Sequence, residues 1–122
     1  MSSHPSHFKQ DRQQRLRQAY AALARSLANV GYIFPGSVTK RFIPCGKSSC
    51  RCAADPNQRH GPYYEWTRKV QGKTATVRLT AEQARLYQKW IENRRGLKKI
   101  LARMQAISIQ AGQAQMAVTS RR

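Results

Sequence analysis

Acidic side chains are scarce in this sequence. Asp11, Asp55, Glu65, Glu82 and Glu92 are the five among 122 residues. Chemistry that needs two or three converging carboxylates, such as metal-dependent nuclease or glycosidase catalysis, therefore has little support. Long apolar runs are missing too, since none reaches the roughly 18 residues that cross a bilayer. The opening Met1-Ser2-Ser3-His4-Pro5 lacks the basic stretch and apolar core of a secretory signal. A cytoplasmic protein is expected. Cysteines are few: Cys45, Cys50 and Cys52 are the whole set. An odd number in a cytosolic chain argues against a disulfide framework.

What the chain has in excess is positive charge. Twenty-three Lys and Arg residues give a net charge of +18. They are not confined to a tail: five lie in 1–30, nine in 36–80 and nine in 81–122. A domain with such a charge repels itself and gains from a polyanion. Nucleic acid is the first candidate, because neutralising phosphates releases counterions. An anionic membrane surface is the second, but the apolar stripes described next suit packing better than lipid, and no membrane association is expected.

Patterning predicts an α+β fold in one domain. Residues 1–8 read as a disordered tail. Residues 9–31 read as an N-terminal helix whose Leu16, Tyr20, Leu23, Leu27 and Val30 recur at steps of four and three. Residues 36–80 hold a short strand over 38–43, an irregular Cys-rich loop and a hairpin. In that hairpin Tyr63–Val70 and Thr74–Leu79 flank a turn at Gln71-Gly72-Lys73. Alternation puts Tyr64, Trp66, Arg68 and Val70 on one side, and Tyr63, Glu65, Thr67 and Lys69 on the other. Tyr64 and Trp66 are expected in the core and Tyr63 at the surface. Thr80 and Gln83 form a capping box that opens a long helix over 81–108. A frayed basic tail follows over 109–122. The resulting architecture is a small zinc-stapled three-stranded antiparallel sheet flanked by the two helices. Leu16, Tyr20, Leu23 and Leu27 in the first helix, with Leu97, Leu101 and Met104 in the second, form seams that pair within one chain or between two. A homodimer is one outcome of that pairing.

The cysteines carry the most specific chemistry. Cys45, Cys50 and Cys52 are spaced C-x4-C-x-C, and His60 follows eight residues after Cys52. Three thiolates and an imidazole make a closed tetrahedral zinc site, and an 18-residue loop with almost no apolar content needs such a staple. Lys47 and Arg51 offset the thiolate charge. A closed site has no open position, so the zinc is structural. A reactive thiol is the competing reading. No acid–base partner beyond His60 is in sight, so no catalytic residues and no enzyme are expected.

Gly36-Ser37-Val38 with Arg41, then Cys45-Gly46-Lys47-x-x-Cys50-x-Cys52, then His60-Gly61-Pro62-Tyr63-Tyr64, resemble a family of small uncharacterised bacterial proteins associated with phages, plasmids and transposons. The resemblance covers about residues 35–93. It implies a Cys-rich hairpin-plus-helix module near mobile DNA and carries no activity. The hairpin and helix are also similar in outline to the arm-type DNA-binding domains of phage tyrosine integrases, which place a three-stranded sheet in the major groove. A two-stranded ribbon fits that groove. The expected contacts are Lys40, Arg41, Arg68, Lys69, Lys73 and Arg78 on the sheet, with Arg68 and Arg78 foremost, and Arg94, Arg95, Lys98 and Lys99 on the long helix.

Together these features predict a zinc-stabilised accessory protein that binds duplex DNA for a mobile element, as a helper of a recombinase or transposase or as a repressor. RNA binding is the first alternative. The second is an interaction subunit that docks on a larger nucleic-acid enzyme.

Overall fold

Thr80 and Gln83 close the capping box. The Thr80 backbone N–H donates to Gln83 Oε1 at 3.0 Å, and the Gln83 N–H donates to Thr80 Oγ1 at 3.1 Å. They open a helix that runs from Ala81 to Thr119, 39 residues. In the computed structural model, which describes residues 5–119 and the side chains over 11–117, this helix is the last of eight elements, three of them short 3-10 turns. Helix α1 is Pro5–Ser26, continued by a 3-10 turn at Leu27–Asn29. Strands β1, β2 and β3 are Ser37–Ile43, His60–Val70 and Lys73–Leu79, and α2 is Ala81–Thr119. The fold is α+β: in chain order, an N-terminal helix, a three-stranded antiparallel sheet and a long C-terminal helix.

The sheet order is β1-β2-β3. Gln71 and Gly72, both at positive φ (52° and 81°), make a two-residue hairpin turn, the geometry that matches strand twist. Trp66 pairs with Val38 on one side and Val77 on the other. The β1–β2 register shifts between Arg41 and Ile43, a bulge-like irregularity just before the cysteine loop.

Two compact units emerge, residues 32–94 and residues 1–31 with 95–122. The first holds the core. Trp66, Leu79, Ala84 and Ile91 are buried there, with Phe34, Val38, Tyr64 and Tyr87 packed around them. One face of the sheet is thus covered by the first half of α2. Phe34 is central to this: its ring stacks on Trp66 at 4.7 Å and meets Tyr87 at 4.5 Å. The segment before β1 is tied down by hydrogen bonds. The Phe34 N–H donates to the Trp90 carbonyl at 3.2 Å. Asn93 Nδ2 donates to the Tyr32 carbonyl, and Trp66 Nε1 to the Pro35 carbonyl, both at 2.8 Å. Gly36 has φ +86°, and a Cβ there would lie 2.9 Å from Trp66 Nε1 and collide with the Thr67 carbonyl. Only glycine lets the chain press so closely on β2.

The second unit pairs α1 with the distal half of α2 within one chain. Leu97, Ile100, Met104, Ile107, Ala111 and Ala114 recur at steps of three and four, and all are half-buried. Leu16, Leu23 and Leu27 of α1 are half-buried as well. Leu16 and Tyr20 share a cleft with Ile107 and Ala111, and Gln13 Nε2 donates to Gln115 Oε1 at 3.4 Å. Leu101 departs from the expected seam. It is exposed, because it lies one position off the 97-100-104-107 series and so points to another face.

Helix α1 starts earlier and helix α2 ends later than expected, while α1 stops at Ser26, short of the expected residue 31. Pro5 begins α1, so residues 5–8 are helical rather than a tail; proline suits a first helical turn, where its missing N–H is not needed. Residues 1–4 lie outside the described part. The tail expected over 109–122 is helical to Thr119, sustained by Ala111, Ala114, Met116 and Ala117 despite Gly112; 120–122 lie outside the described part. Among the described residues, no helix is long and apolar enough to cross a membrane.

Candidate functional site

The bulged end of β1 and the first residue of β2 bracket the cysteine loop. Ile43 pairs with His60, and between them the chain makes two 3-10 turns, Arg51–Ala53 and Pro56–Gln58. Asp55 caps the second through its carboxylate, which accepts from the Asn57 N–H at 3.0 Å. Gly46, at φ +87°, reverses the chain directly after Cys45. These turns bring Cys45, Cys50, Cys52 and His60 together, with all four ligand atoms within 4.8 Å of one another. Cys45 Sγ lies 3.5 Å from Cys52 Sγ, and Cys50 Sγ lies 3.2 Å from His60 Nε2. A tetrahedral ion with bonds of about 2.3 Å to sulfur needs ligand–ligand edges of about 3.8 Å. The cluster has the donor set and nearly the span. Three cysteines and a histidine are positioned to bind a metal ion, and all three thiols are free of disulfide.

Local hydrogen bonds prepare the thiols unequally. The Cys52 N–H donates to the Cys50 sulfur and holds that thiol below its ordinary pKa, assisted by the neighbouring Cys52 and Cys45 thiols. Cys52 accepts from the Cys45 N–H at 3.3 Å. That bond is its largest single influence and lowers its pKa. Burial and the two neighbouring thiols outweigh it, and the net shift is upward. Cys52 is also the one buried residue of the loop, 3% exposed. A cation at the centre would favour the thiolate at every position.

The six basic residues expected to make contacts on the sheet are divided between its two surfaces. Directly paired residues share a face, so the registers settle each position. Arg41 pairs with Tyr63, Glu65 with Arg78, and Lys69 with Thr74. Arg41, Lys69 and Arg78 therefore stand on the face opposite the core. Lys40 pairs with Tyr64, Arg68 with Ala75, and Lys73 with Val70, which places these three on the core side of the sheet. Arg68 and Arg78, the two contacts expected foremost, thus stand on opposite faces. Arg68 instead lies over the Trp66 ring, 4.5 Å from its centroid.

The open face is ordered. The Arg78 guanidinium lies 4.4 Å over the Tyr63 ring. Arg41 reaches Glu65 at 3.6 Å. Glu65 is mostly covered, its side chain 17% exposed, whereas Arg41 is 56% exposed. Lys69 Nζ donates to Thr74 Oγ1 at 2.8 Å, and Thr67 and Thr76 hydroxyls meet at 3.3 Å. Sequence reasoning missed the roles of Tyr63 and Glu65 in holding these arginines; the signal was their parity with Arg41 and Arg78.

On the core side, Lys40, Arg85 and Lys89 rim a cleft of ≈ 530 Å³ floored by Val38, Tyr64 and Ala84. Arg85 and Lys89 come from the first half of α2. Further along α2, Arg94, Arg95, Lys98 and Lys99 are all exposed.

A Cys3His metal-site module on a three-stranded sheet with one basic open face is the class that this geometry defines. Residues 9–88 match the family described as a domain of unknown function, DUF6788, and the chain belongs to that family. No curated protein and no solved structure matches the chain.

Proposed function

We propose that this protein is a zinc-stabilised nucleic-acid-binding accessory factor that reads duplex DNA with the open face of its sheet. The observation that carries the reading is that face. It presents Arg41, Lys69 and Arg78 among Thr39, Thr67, Thr74 and Thr76, with one covered acid, Glu65. Three strands spaced about 4.8 Å apart are about 10 Å wide across their backbones, against a major groove about 12 Å wide. Threonine hydroxyls and arginine forks are the donors that such a groove accepts, and the arginines are ordered by contact with Tyr63 and Glu65 rather than left free. Exposed Arg94, Arg95, Lys98 and Lys99 on α2 add sequence-independent phosphate contact.

Zinc is the metal this donor set favours, because three thiolates and one imidazole fit a closed tetrahedral site. Bound there, it staples the loop and supplies no open coordination position. Cys45, Cys50 and Cys52 hold it as thiolates, with His60 Nε2 as the fourth donor, and Lys47 and Arg51, neighbours of the cysteines in sequence, offset the surplus negative charge. The resemblance of the motif string to proteins of phages, plasmids and transposons supports a setting in mobile DNA, where the partner would be a recombinase or transposase, or the protein would act as a repressor.

The test is a competition. Labelled duplex DNA bound by the zinc-loaded chain is challenged with unlabelled single-stranded DNA and structured RNA. Retention of duplex near physiological salt is expected. Transfer of the chain to RNA would overturn the duplex reading, and release by salt alone, without any preference, would reduce the binding to bulk charge. Native mass spectrometry is expected to find one zinc per chain.

A further inference from the structure

The unit built from α1 and the distal half of α2 buries none of its described residues to core level. Meanwhile α2 exposes large apolar side chains there: Leu101 at 49%, Ile109 at 52% and Met116 at 70%. Their spacing of eight and seven residues places them on one helix face, beside the seam that faces α1. Gly112 lies between Ile109 and Met116, with open space where a Cβ would project.

Charge identifies the occupant of this face. From Met104 to Ser120 the sequence contains no charged residue, in a chain with 23 Lys and Arg. A polyanion or an acidic protein would be drawn to any other surface first. A neutral face suits another neutral face, and this chain supplies one. The pattern is also self-complementary when reversed. In an antiparallel pairing of α2 with its own copy, centred between Ser108 and Ile109, Leu101 opposes Met116, and Gln105 opposes Gly112. The centre brings Ile109 beside its equivalent. The same register sets Lys98 against Thr119 and Arg103 against Ala114, so each basic segment meets the uncharged end of its partner. The two basic segments, centred near residue 98, are then about 20 residues or roughly 30 Å apart along the axis, well beyond the screening length of about 8 Å. A parallel pairing would stack them on each other.

We infer that this protein is a two-fold dimer, assembled through antiparallel α2–α2 contact of Leu101, Ile109 and Met116, with the two helical hairpins forming a four-helix arrangement. The interface is isologous and leaves both sheet faces and both metal centres duplicated. It does not depend on the nucleic-acid reading.

The experiment measures mass in solution by sedimentation on the zinc-loaded full chain at about 100 µM, in moderate salt. Twice the chain mass is expected. Ile109→Lys places two ammonium groups side by side at the two-fold centre and is expected to give the monomer. Leu101→Glu and Met116→Lys should each weaken the dimer by about tenfold or more. The double variant should recover most of that loss, because the register pairs Glu with Lys across the interface. Far-UV circular dichroism, which reads the helices themselves, reports that each variant keeps α1 and α2, and fluorescence of Trp66 and Trp90 reports the other unit. A wild-type monomer, a dimeric I109K, or a double variant no better than the singles would overturn the inference.

Discussion

Removing the metal should loosen the cysteine loop far more than the sheet. The β1–β2 ladder already closes this loop, since Ile43 pairs with His60. A bound ion would add two ties inside it, drawing Cys50 and Cys52 to the point where Cys45 and His60 come together. A tie across six to nine residues reduces the freedom of the open chain by about 2–2.5 kcal/mol, and two by about 5 kcal/mol, on the loop-closure relation for cross-links. Little else opposes opening, for among the loop residues 44–59 Cys52 alone is buried. About 5 kcal/mol corresponds to amide exchange roughly 10³–10⁴-fold faster. The amides that report it are those of Cys50, Ala53, Asp55 and Gln58, which donate to the carbonyls of Lys47, Cys50, Arg51 and Asp55. Hydrogen exchange followed by NMR, with and without a chelator, reads them one by one. The β2–β3 ladder around Trp66 and Val77 should keep its protection, because the aromatic core lies beneath it. Unchanged loop amides after chelation would refute the staple. Loss of protection across the whole sheet would refute the separation of loop and core.

Other perturbations follow from the packing. Gly36→Ala forces a side chain into a left-handed backbone, about 1–2 kcal/mol on its own, and against Trp66 and Thr67. A total of at least about 2 kcal/mol should lower Tm by about 8 °C or more in a unit of this size; a drop below about 4 °C would count against the close approach. Thr80→Ala removes one half of the capping box and should cost about 1 kcal/mol in chemical denaturation, whereas Thr80→Ser should cost far less.

The sequence was readable where one local rule acted alone. The capping box at Thr80 and Gln83, the hairpin around Gln71-Gly72 and the cysteine spacing each follow from neighbouring residues. Phe34 was not legible as a core residue. It precedes Pro35-Gly36 in no regular element, and its burial comes from Trp66, Tyr87 and Trp90, brought to it by the fold. The two faces of the sheet were half legible: alternation alone sets Arg68 with Trp66, but likeness of charge grouped it with Arg78. Parity across β1 was less accessible, because the bulge after Arg41 depends on the loop that follows. The helix ends were misjudged for a related reason. The Ser, His and Pro of the first eight residues read as a tail and the small polar residues after 108 as frayed, while a first-turn proline is compatible with α1 and the alanines carry α2 on to Thr119.

The measurement closest to the central claim compares salt dependence between two variants. Arg41→Ala with Arg78→Ala removes two cations from the open sheet face. Arg121→Ala with Arg122→Ala removes the same charge from the C-terminus. Duplex affinity is followed over a range of salt for each and for the unaltered chain. If the sheet face reads the groove, the first pair loses duplex preference and its salt slope falls by about 2, while the second keeps that preference and nearly all of its affinity. Equal losses in the two would contradict the account and leave charge alone as the source of binding.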